Sequence, residues 1–133
     1  MPPQYRLVEL PEHMDARGPL IFAQQDDHVP FPIKRFFVIH HVAPGGTRGA
    51  HAHRAQHQFL VMLAGKAAVT VDDGIIRSRI VLDRATQALY APPLLWLELS
   101  DFSPDAVCMV LASGAYSESD YIRDRAEFLR LAG

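Results

Sequence analysis

The sequence has little cysteine, no long apolar run and no large net charge. Its one cysteine, Cys108, excludes an intrachain disulfide, so the cysteine content gives no indication of an oxidising compartment. No apolar run reaches the roughly 18 residues that a membrane-spanning helix needs, and the first residues lack the apolar stretch of a signal peptide. We therefore expect a cytoplasmic protein without a membrane span.

The charge balance also argues against a nucleic-acid or lipid partner. Lys and Arg number 13 against 15 Asp and Glu, which gives a net charge of -2, so no overall positive field would attract a polyanion. A local basic pocket for one phosphorylated small molecule stays compatible with this balance. With 133 residues, 49% of them hydrophobic, the chain is expected to form one soluble domain over residues 1–133.

Short apolar runs separated by Gly, Pro and Asp predict an all-β sandwich or barrel. The sequence Asp72-Asp73-Gly74 predicts a tight hairpin turn whose second strand covers residues 75–82. Only the tail has a helical pattern. A helix starting near residues 117–120 would place Tyr121 on one face together with Arg125, Phe128 and Leu129.

Three of the seven histidines lie within seven positions, at 51, 53 and 57. Side chains alternate between the two faces of a strand, so His51 and His53 are expected to point the same way. The facing of His57 is less defined, because a bend is expected before it. Two imidazoles in one cavity can carry protons near neutral pH, although a pair of histidines alone is equally typical of a solvated or structural stretch.

The spacing around these histidines resembles the first motif of the cupin family. Gly45, His51, His53 and Gly65 match its glycines and histidines, but Gln58 stands where the family has a metal-binding Glu. The second motif normally supplies another His, and its counterpart at residues 91–96 presents Trp96 instead. Two histidines alone bind a transition metal weakly, so we expect neither a metal nor another cofactor.

A narrower resemblance covers nearly the whole chain in order. Its stretches are residues 30–35, 48–53, 58–60, 72–74, 89–90, 93–98, 101–103, 110–113 and 120–123. Together they are similar to the nucleotide-sugar 3,4-ketoisomerases, a metal-free branch of the cupins. The resemblance implies a jelly-roll β-sandwich with a short C-terminal helix and a homodimer. It also implies an isomerase that converts dTDP-4-keto-6-deoxy-glucose to a 3-keto sugar, for 3-amino-3,6-dideoxy sugar biosynthesis.

This chemistry needs a base for a carbon-bound proton and a carrier for an oxygen-bound proton. We assign the two roles to His51 and His53 without distinguishing between them. The candidate substrate-binding residues are Arg17, Arg35, Arg48, Gln58, Tyr90, Trp96 and Glu98. Among these, Arg35 and Arg48 are expected to hold the diphosphate, since guanidinium groups match phosphate oxygens.

Two departures and three alternatives stay open at this point. Relatives often carry Tyr in the strand occupied here by residues 36–38, and Leu97 replaces a polar residue that, with Arg17, can influence the product's C-4 configuration. The alternatives are a 3,5-epimerase-like cupin, a non-catalytic ligand-binding cupin and a metal-dependent cupin. The missing metal ligands disfavour the last of these.

Sandwich edges are usually covered, so the N-terminal strand is expected to pair with a partner chain.

Overall fold

The computed structural model describes residues 4–132, and over this range the chain is built mainly from short antiparallel strands. The strands are β1 (Arg6–Glu9), β2 (Glu12–Asp15), β3 (Gly18–Ile21), β4 (Arg35–His40), β5 (Arg48–His53), β6 (Gln58–Ala64), β7 (Ala67–Asp72), β8 (Arg77–Leu82), β9 (Gln87–Ala91), β10 (Trp96–Ser100), β11 (Val107–Ala112) and β12 (Tyr121–Ile122). A 3-10 turn covers Glu118–Asp120, and the helix α1 covers Arg125–Ala132.

The strands form two five-stranded sheets and one separate hairpin. Sheet I has the order β1-β9-β6-β11-β4, sheet II has the order β12-β5-β10-β7-β8, and β2 pairs with β3. Neighbours within each sheet are antiparallel. This arrangement confirms the expected jelly-roll sandwich with a short C-terminal helix.

The core lies between the two sheets, because alternate side chains of each strand point inward. Leu60 and Met62 of β6 in sheet I are buried in the same cluster as Leu97 and Leu99 of β10 in sheet II. Cys108 of β11 belongs to this cluster, and burial raises the pKa of its thiol to about 12. The cysteine is therefore a core residue, as expected.

Both sheets are also covered on their outer faces. The segment between β1 and β4 covers sheet I through Leu10, Val29 and Phe31, which pack against Phe59. Helix α1 covers sheet II through Phe128, which packs against the Trp96 ring at a centroid distance of 5.3 Å. Apolar side chains consequently occur on both faces of the central strands, and hydrophobicity alone does not show which face is inside.

The C-terminal segment differs from the expected helix. Tyr121 lies in β12, which pairs with β5, and the helix begins only at Arg125, where Asp124 Oδ1 accepts the Ala126 N–H at 3.2 Å. Of the predicted apolar face, Phe128 is buried, whereas Leu129 is exposed.

Within residues 4–132, no helix is both long and apolar enough to cross a membrane.

The turn after β7 is longer than predicted. Residues 73–76 form the connection and β8 begins at Arg77, so Ile75 and Ile76 are exposed turn residues rather than the start of a strand. The Asp73 carboxylate accepts the N–H groups of both isoleucines at 2.8 Å. These local hydrogen bonds compete with strand pairing and extend the turn.

Replacing Phe128 with Ala is expected to destabilise the protein by about 3–5 kcal/mol, because the ring is fully buried between α1 and sheet II. Urea unfolding followed by circular dichroism measures the change. Leu129→Ala serves as the matched control, since its exposed side chain should contribute far less. Equal losses in the two variants would show that α1 does not pack through Phe128.

Candidate active site

A cavity of about 430 Å³ opens between the two sheets. Its apolar wall consists of Phe37, Ile39, Leu60, Leu97, Leu99 and Val110. Its polar side chains are Arg35, Thr47, Arg48, His51, Gln58, Tyr121 and Arg123. The cavity therefore combines an apolar wall with one imidazole, one phenol and three guanidinium groups.

A β-bulge in β5 aims His51 into this cavity. The pairing between β5 and β10 joins Leu97 to His51 but Glu98 to Gly49, so Ala50 is the extra residue. Gly49 has a φ of +91°, and a Cβ there would lie 2.9 Å from the Leu97 carbonyl oxygen. Glycine is needed at this position because a side chain would clash with β10.

His51 exposes only one ring nitrogen to the cavity. Its Nδ1 is buried and has no hydrogen-bond partner among the described residues. Because the His51 side chain lines the cavity, we infer that Nε2 is the nitrogen that faces the ligand space. Burial, followed by the neighbouring His53, lowers the pKa of His51 to about 4. The imidazole is therefore neutral at physiological pH, the form that can accept a proton.

His53 lies directly behind His51 and has both nitrogens engaged. Its ring is 5.1 Å from that of His51, which confirms that the two side chains share a face. His53 Nδ1 is 2.9 Å from Asp120 Oδ2, and its Nε2 is 3.2 Å from Gln58 Nε2. A carboxylate only accepts, so Nδ1 carries the proton and Nε2 accepts from the Gln58 amide.

The environment keeps His53 in this neutral tautomer. Burial lowers its pKa, and the Asp120 carboxylate opposes that shift without cancelling it. A protonated ring would turn Nε2 into a donor facing the donor amide of Gln58. His53 is not among the described residues that line the cavity, and both of its ring nitrogens are hydrogen-bonded. The role of His53 in proton transfer stays a prediction.

Three arginines give the cavity its positive charge. Arg35 donates to the Gln56 side-chain oxygen at 3.1 Å and to the Gly114 carbonyl at 3.2 Å, which fixes its guanidinium. Arg123 donates to the Glu118 carboxylate at 2.8 and 3.1 Å. The third, Arg48, is exposed at the other end of the wall.

A second cavity of about 470 Å³ adjoins the first at the end where Arg48 lies. The two share Ile39, Thr47 and Arg48, and the second is also lined by His40 and His41. The shared arginine therefore lies between two spaces that one elongated ligand could occupy together.

Among the predicted site residues, Arg35, Arg48, His51 and Gln58 lie together in the cavity wall. Trp96 and Glu98 do not. Leu97 and Leu99 take the inward positions of β10, so Trp96 and Glu98 point to the outer face, where Trp96 Nε1 donates to Glu98 at 3.2 Å. Strand alternation places both residues on the outer face of sheet II, where Trp96 packs under α1 and Glu98 lies 3.6 Å from the Arg77 guanidinium.

Tyr90 and Arg17 are also outside the cavity wall of their own chain. The Tyr90 ring lies on the outer face of sheet I, with its hydroxyl 2.7 Å from His57 Nδ1. Arg17 is at the tip of the β2–β3 hairpin, bonded to Asp15, with 89% of its side chain exposed. Among the described residues of this chain, the hairpin pairs only with itself, so no contact within the chain brings Arg17 toward the cavity, and its substrate-binding role stays a prediction.

Sequence reasoning missed the contributions of Asp120, Tyr121 and Arg123. The expected helix would have turned these residues to different sides, whereas the short strand β12 aligns Tyr121 with His53. The only feature of the sequence that pointed to these residues was that 120–123 is one of the stretches that resemble the nucleotide-sugar 3,4-ketoisomerases. Local pattern could not reveal a two-residue strand, because its partner lies nearly 70 positions earlier in the chain.

Within residues 4–132, no group of three or more His, Cys, Asp or Glu side chains is arranged to hold a metal ion. The Gln58 amide donates to His53, and Trp96 faces away from the cavity. Neither residue restores the cupin ligand set.

The fold and this cavity define a cupin-type β-sandwich with a polar pocket between its sheets. Residues 3–133 match the family model described as FdtA, WxcM-like, C-terminal, and the chain belongs to that family. It is 41% identical over 123 residues to the TDP-4-oxo-6-deoxy-alpha-D-glucose-3,4-oxoisomerase of Aneurinibacillus thermoaerophilus, covering 92% of this chain and 88% of that protein.

Two solved structures are similar over almost the entire chain. A 3,4-ketoisomerase from Helicobacter canadensis has a TM-score of 0.92 and 38% identity, with 96% of each chain covered. QdtA, a sugar 3,4-ketoisomerase from Thermoanaerobacterium thermosaccharolyticum solved with TDP, has a TM-score of 0.93 and 34% identity, covering 96% of this chain and 93% of QdtA.

The lowered pKa of His51 makes stability depend on pH in a defined direction. Between pH 6.5 and about 4 the unfolded chain binds a proton at His51 that the folded chain does not, so the free energy of unfolding falls as the pH falls. Urea unfolding at pH 7 and pH 5 should show a smaller drop for His51→Asn than for the wild type. The same drop in both proteins would contradict a buried neutral His51.

Proposed function

We propose that the protein converts dTDP-4-keto-6-deoxy-glucose to a dTDP-3-keto-6-deoxy-hexose through an enediol, with His51 as the carbon base. The observation that carries this proposal is a neutral imidazole whose one free nitrogen faces a cavity with three guanidinium groups. The names of the similar proteins support the same reaction and substrate class. No redox cofactor is required, because the oxidation at C-3 and the reduction at C-4 occur in one sugar.

His51 Nε2 takes the proton from C-3 and returns a proton to C-4. The C-3 hydrogen of a 4-keto sugar is acidic because the resulting charge spreads onto the ketone oxygen. A positioned base of this kind typically contributes about 100- to 10,000-fold to the rate. The arginines stabilise the oxyanion. The apolar wall strengthens this attraction, since charge interactions are stronger where water is excluded.

His53 supports this base from behind the cavity wall. Its hydrogen bond from Gln58 orients an amide that lines the cavity, and its ring packs edge-on against His51. Gln58 then presents its remaining hydrogen-bonding capacity to a sugar hydroxyl. His53 and Gln58 accordingly position the substrate and the base, His51 carries out proton abstraction from carbon, and transfer of the oxygen-bound proton stays assigned to the histidine pair.

The two adjoining cavities suit the two ends of a nucleotide sugar. The sugar occupies the first cavity beside His51, and the nucleoside extends into the second. Arg48, which belongs to both walls, binds the diphosphate between them. Arg35 contributes positive charge from the other end of the first cavity. This assignment retains both arginines of the sequence prediction and leaves Trp96, Glu98 and Tyr90 as packing residues.

The product and its setting follow from the substrate. A 3-keto group is the acceptor that a transaminase requires to make a 3-amino-3,6-dideoxy sugar. Nucleotide-activated sugars are made in the cytoplasm, which supports the expected location of the protein.

A second copy of the chain is the expected partner. Phe36 and Val38 point outward from β4, the edge strand of sheet I, and Phe36 is 65% exposed. The β2–β3 hairpin exposes Met14 and Leu20 in addition. An exposed apolar edge is a typical interface, and pairing of two copies would cover it.

Proton NMR in deuterated buffer, after chelator treatment, tests the reaction with dTDP-4-keto-6-deoxy-glucose. A 3-keto sugar with deuterium at C-4 is the expected product. Deuterium entering C-5 without migration of the ketone would favour an epimerase, and binding without exchange would favour a non-catalytic cupin. Either result would overturn the proposal.

The variant His51→Asn should lose about 100-fold or more in kcat while still binding dTDP, because only the carbon base is removed. His57→Asn is the matched control, since His57 bonds to Tyr90 outside the cavity and its loss should leave kcat near the wild-type value. Near-wild-type turnover by His51→Asn would exclude it as the base.

Light scattering at micromolar concentration should give the mass of a dimer. Phe36→Asp is expected to shift the protein toward monomer, because it places a charge on the proposed interface. Ile75→Asp is the control, as Ile75 is equally apolar and exposed but lies in the turn after β7. A wild-type monomer, or equal effects of both variants, would contradict this interface.

A further inference from the structure

Two neighbouring histidines, His40 and His41, meet at the end of β4. Side chains of adjacent strand residues normally point to opposite faces, but the backbone of His41 has a left-handed φ of +53°, which ends the alternation. The two ring centroids are 4.9 Å apart, and the two Nδ1 atoms are 2.6 Å apart. Residues other than glycine seldom adopt this φ, so the chain accepts local strain where it brings the two imidazoles together.

A contact of this length between two ring nitrogens holds one proton. One Nδ1 donates it and the other accepts it, and among the described residues this is the only side-chain hydrogen bond of the His40–His41 pair. In the neutral pair, one Nε2 therefore carries a proton and the other does not. When the pair binds one more proton, both Nε2 atoms become donors and the pair carries a positive charge.

The His40–His41 pair lines the second cavity, where a phosphate would meet no like charge. Besides the two imidazoles, the described lining contains one charged side chain, that of Arg48, and no carboxylate. β11 places Val107 opposite His40, and residues 42–47, which lead to β5, have no ionisable side chain. An anion bound in this cavity favours the charged form of the pair, because opposite charges attract.

We propose that the His40–His41 pair is an anion-binding element for the diphosphate of the nucleotide sugar, and that it takes up one proton as the ligand binds. This inference rests on the proposed function, which assigns the diphosphate to Arg48 in the same wall. The proton comes from solvent, both Nε2 atoms then donate to phosphate oxygens, and no bond of the ligand is made or broken.

Substrate binding is consequently linked to pH. The free pair is neutral and the bound pair is charged, so the affinity for the nucleotide sugar rises as the pH falls. The increase is at most about tenfold per pH unit, which is reached where one full proton is taken up.

Calorimetry of dTDP-glucose binding tests the proposal. This ligand lacks the ketone, so it binds without reacting, and both of its phosphates are esterified, so it does not titrate near neutral pH. Measurements at pH 7 in buffers of different ionisation enthalpy give the number of protons taken up. We expect about half a proton to one proton in the wild type and nearly none in the double variant His40→Asn/His41→Asn. Asn suits position 41 because it tolerates a left-handed φ.

Two single variants identify the source of the proton. His51→Asn should retain the uptake, which separates the His40–His41 pair from the imidazole of the first cavity. His57→Asn is the matched control, because His57 bonds to Tyr90 outside both cavities. The double variant should bind dTDP-glucose about tenfold more weakly than the wild type at pH 6.5, and this difference should shrink at pH 8.5, where the charged form of the pair is lost.

Either of two results would overturn the assignment. One is the absence of proton uptake in the wild type, and the other is equal uptake in the wild type and the double variant. A wild-type protein that does not bind dTDP-glucose would instead overturn the proposed function itself. If the double variant fails to fold, the wild type decides alone: a Kd for dTDP-glucose that is constant from pH 6.5 to 8.5 contradicts the proposal.

Discussion

The hydrogen bond between His53 and Asp120 joins two parts of the chain that are 67 positions apart. It fixes the tautomer of His53, and that tautomer accepts the amide of Gln58. The same carboxylate also accepts the N–H groups of Ala55 and Gln56, which holds the turn after β5. One largely buried acid thus connects the strand that carries His51 and His53 with the strand that carries Tyr121, and the cavity wall between them depends on this connection.

The site combines a weak base with three arginines, of which Arg123 is ion-paired with Glu118. Burial keeps the His51 imidazole unprotonated, but an imidazole of low pKa is also a poorer acceptor for a carbon-bound proton. In the proposed mechanism, the guanidinium groups of the cavity offset this weakness by stabilising the enolate rather than strengthening the base. The apolar wall strengthens such charge interactions, because it lowers the local dielectric constant.

The sequence was sufficient for most of the strands and for the shared face of His51 and His53, because period-two patterning is local, and the family resemblance supplied the jelly roll. It was insufficient for the facing of Trp96 and Tyr90. Both sheets are packed on two sides, so a large apolar residue is equally compatible with either face. Tyr121 was placed in a helix for a related reason: β12 exists only through its pairing with β5, and no local pattern encodes a distant partner.

The position of β12 and α1 in chain order has a consequence for biosynthesis. During translation, all eleven strands of the sandwich that precede them leave the ribosome first, and these strands contain the whole inter-sheet core. The core and the candidate site therefore draw on different parts of the chain, because a chain that ends after β11 retains every residue of the inter-sheet core but has no carboxylate for His53 and no helix over sheet II.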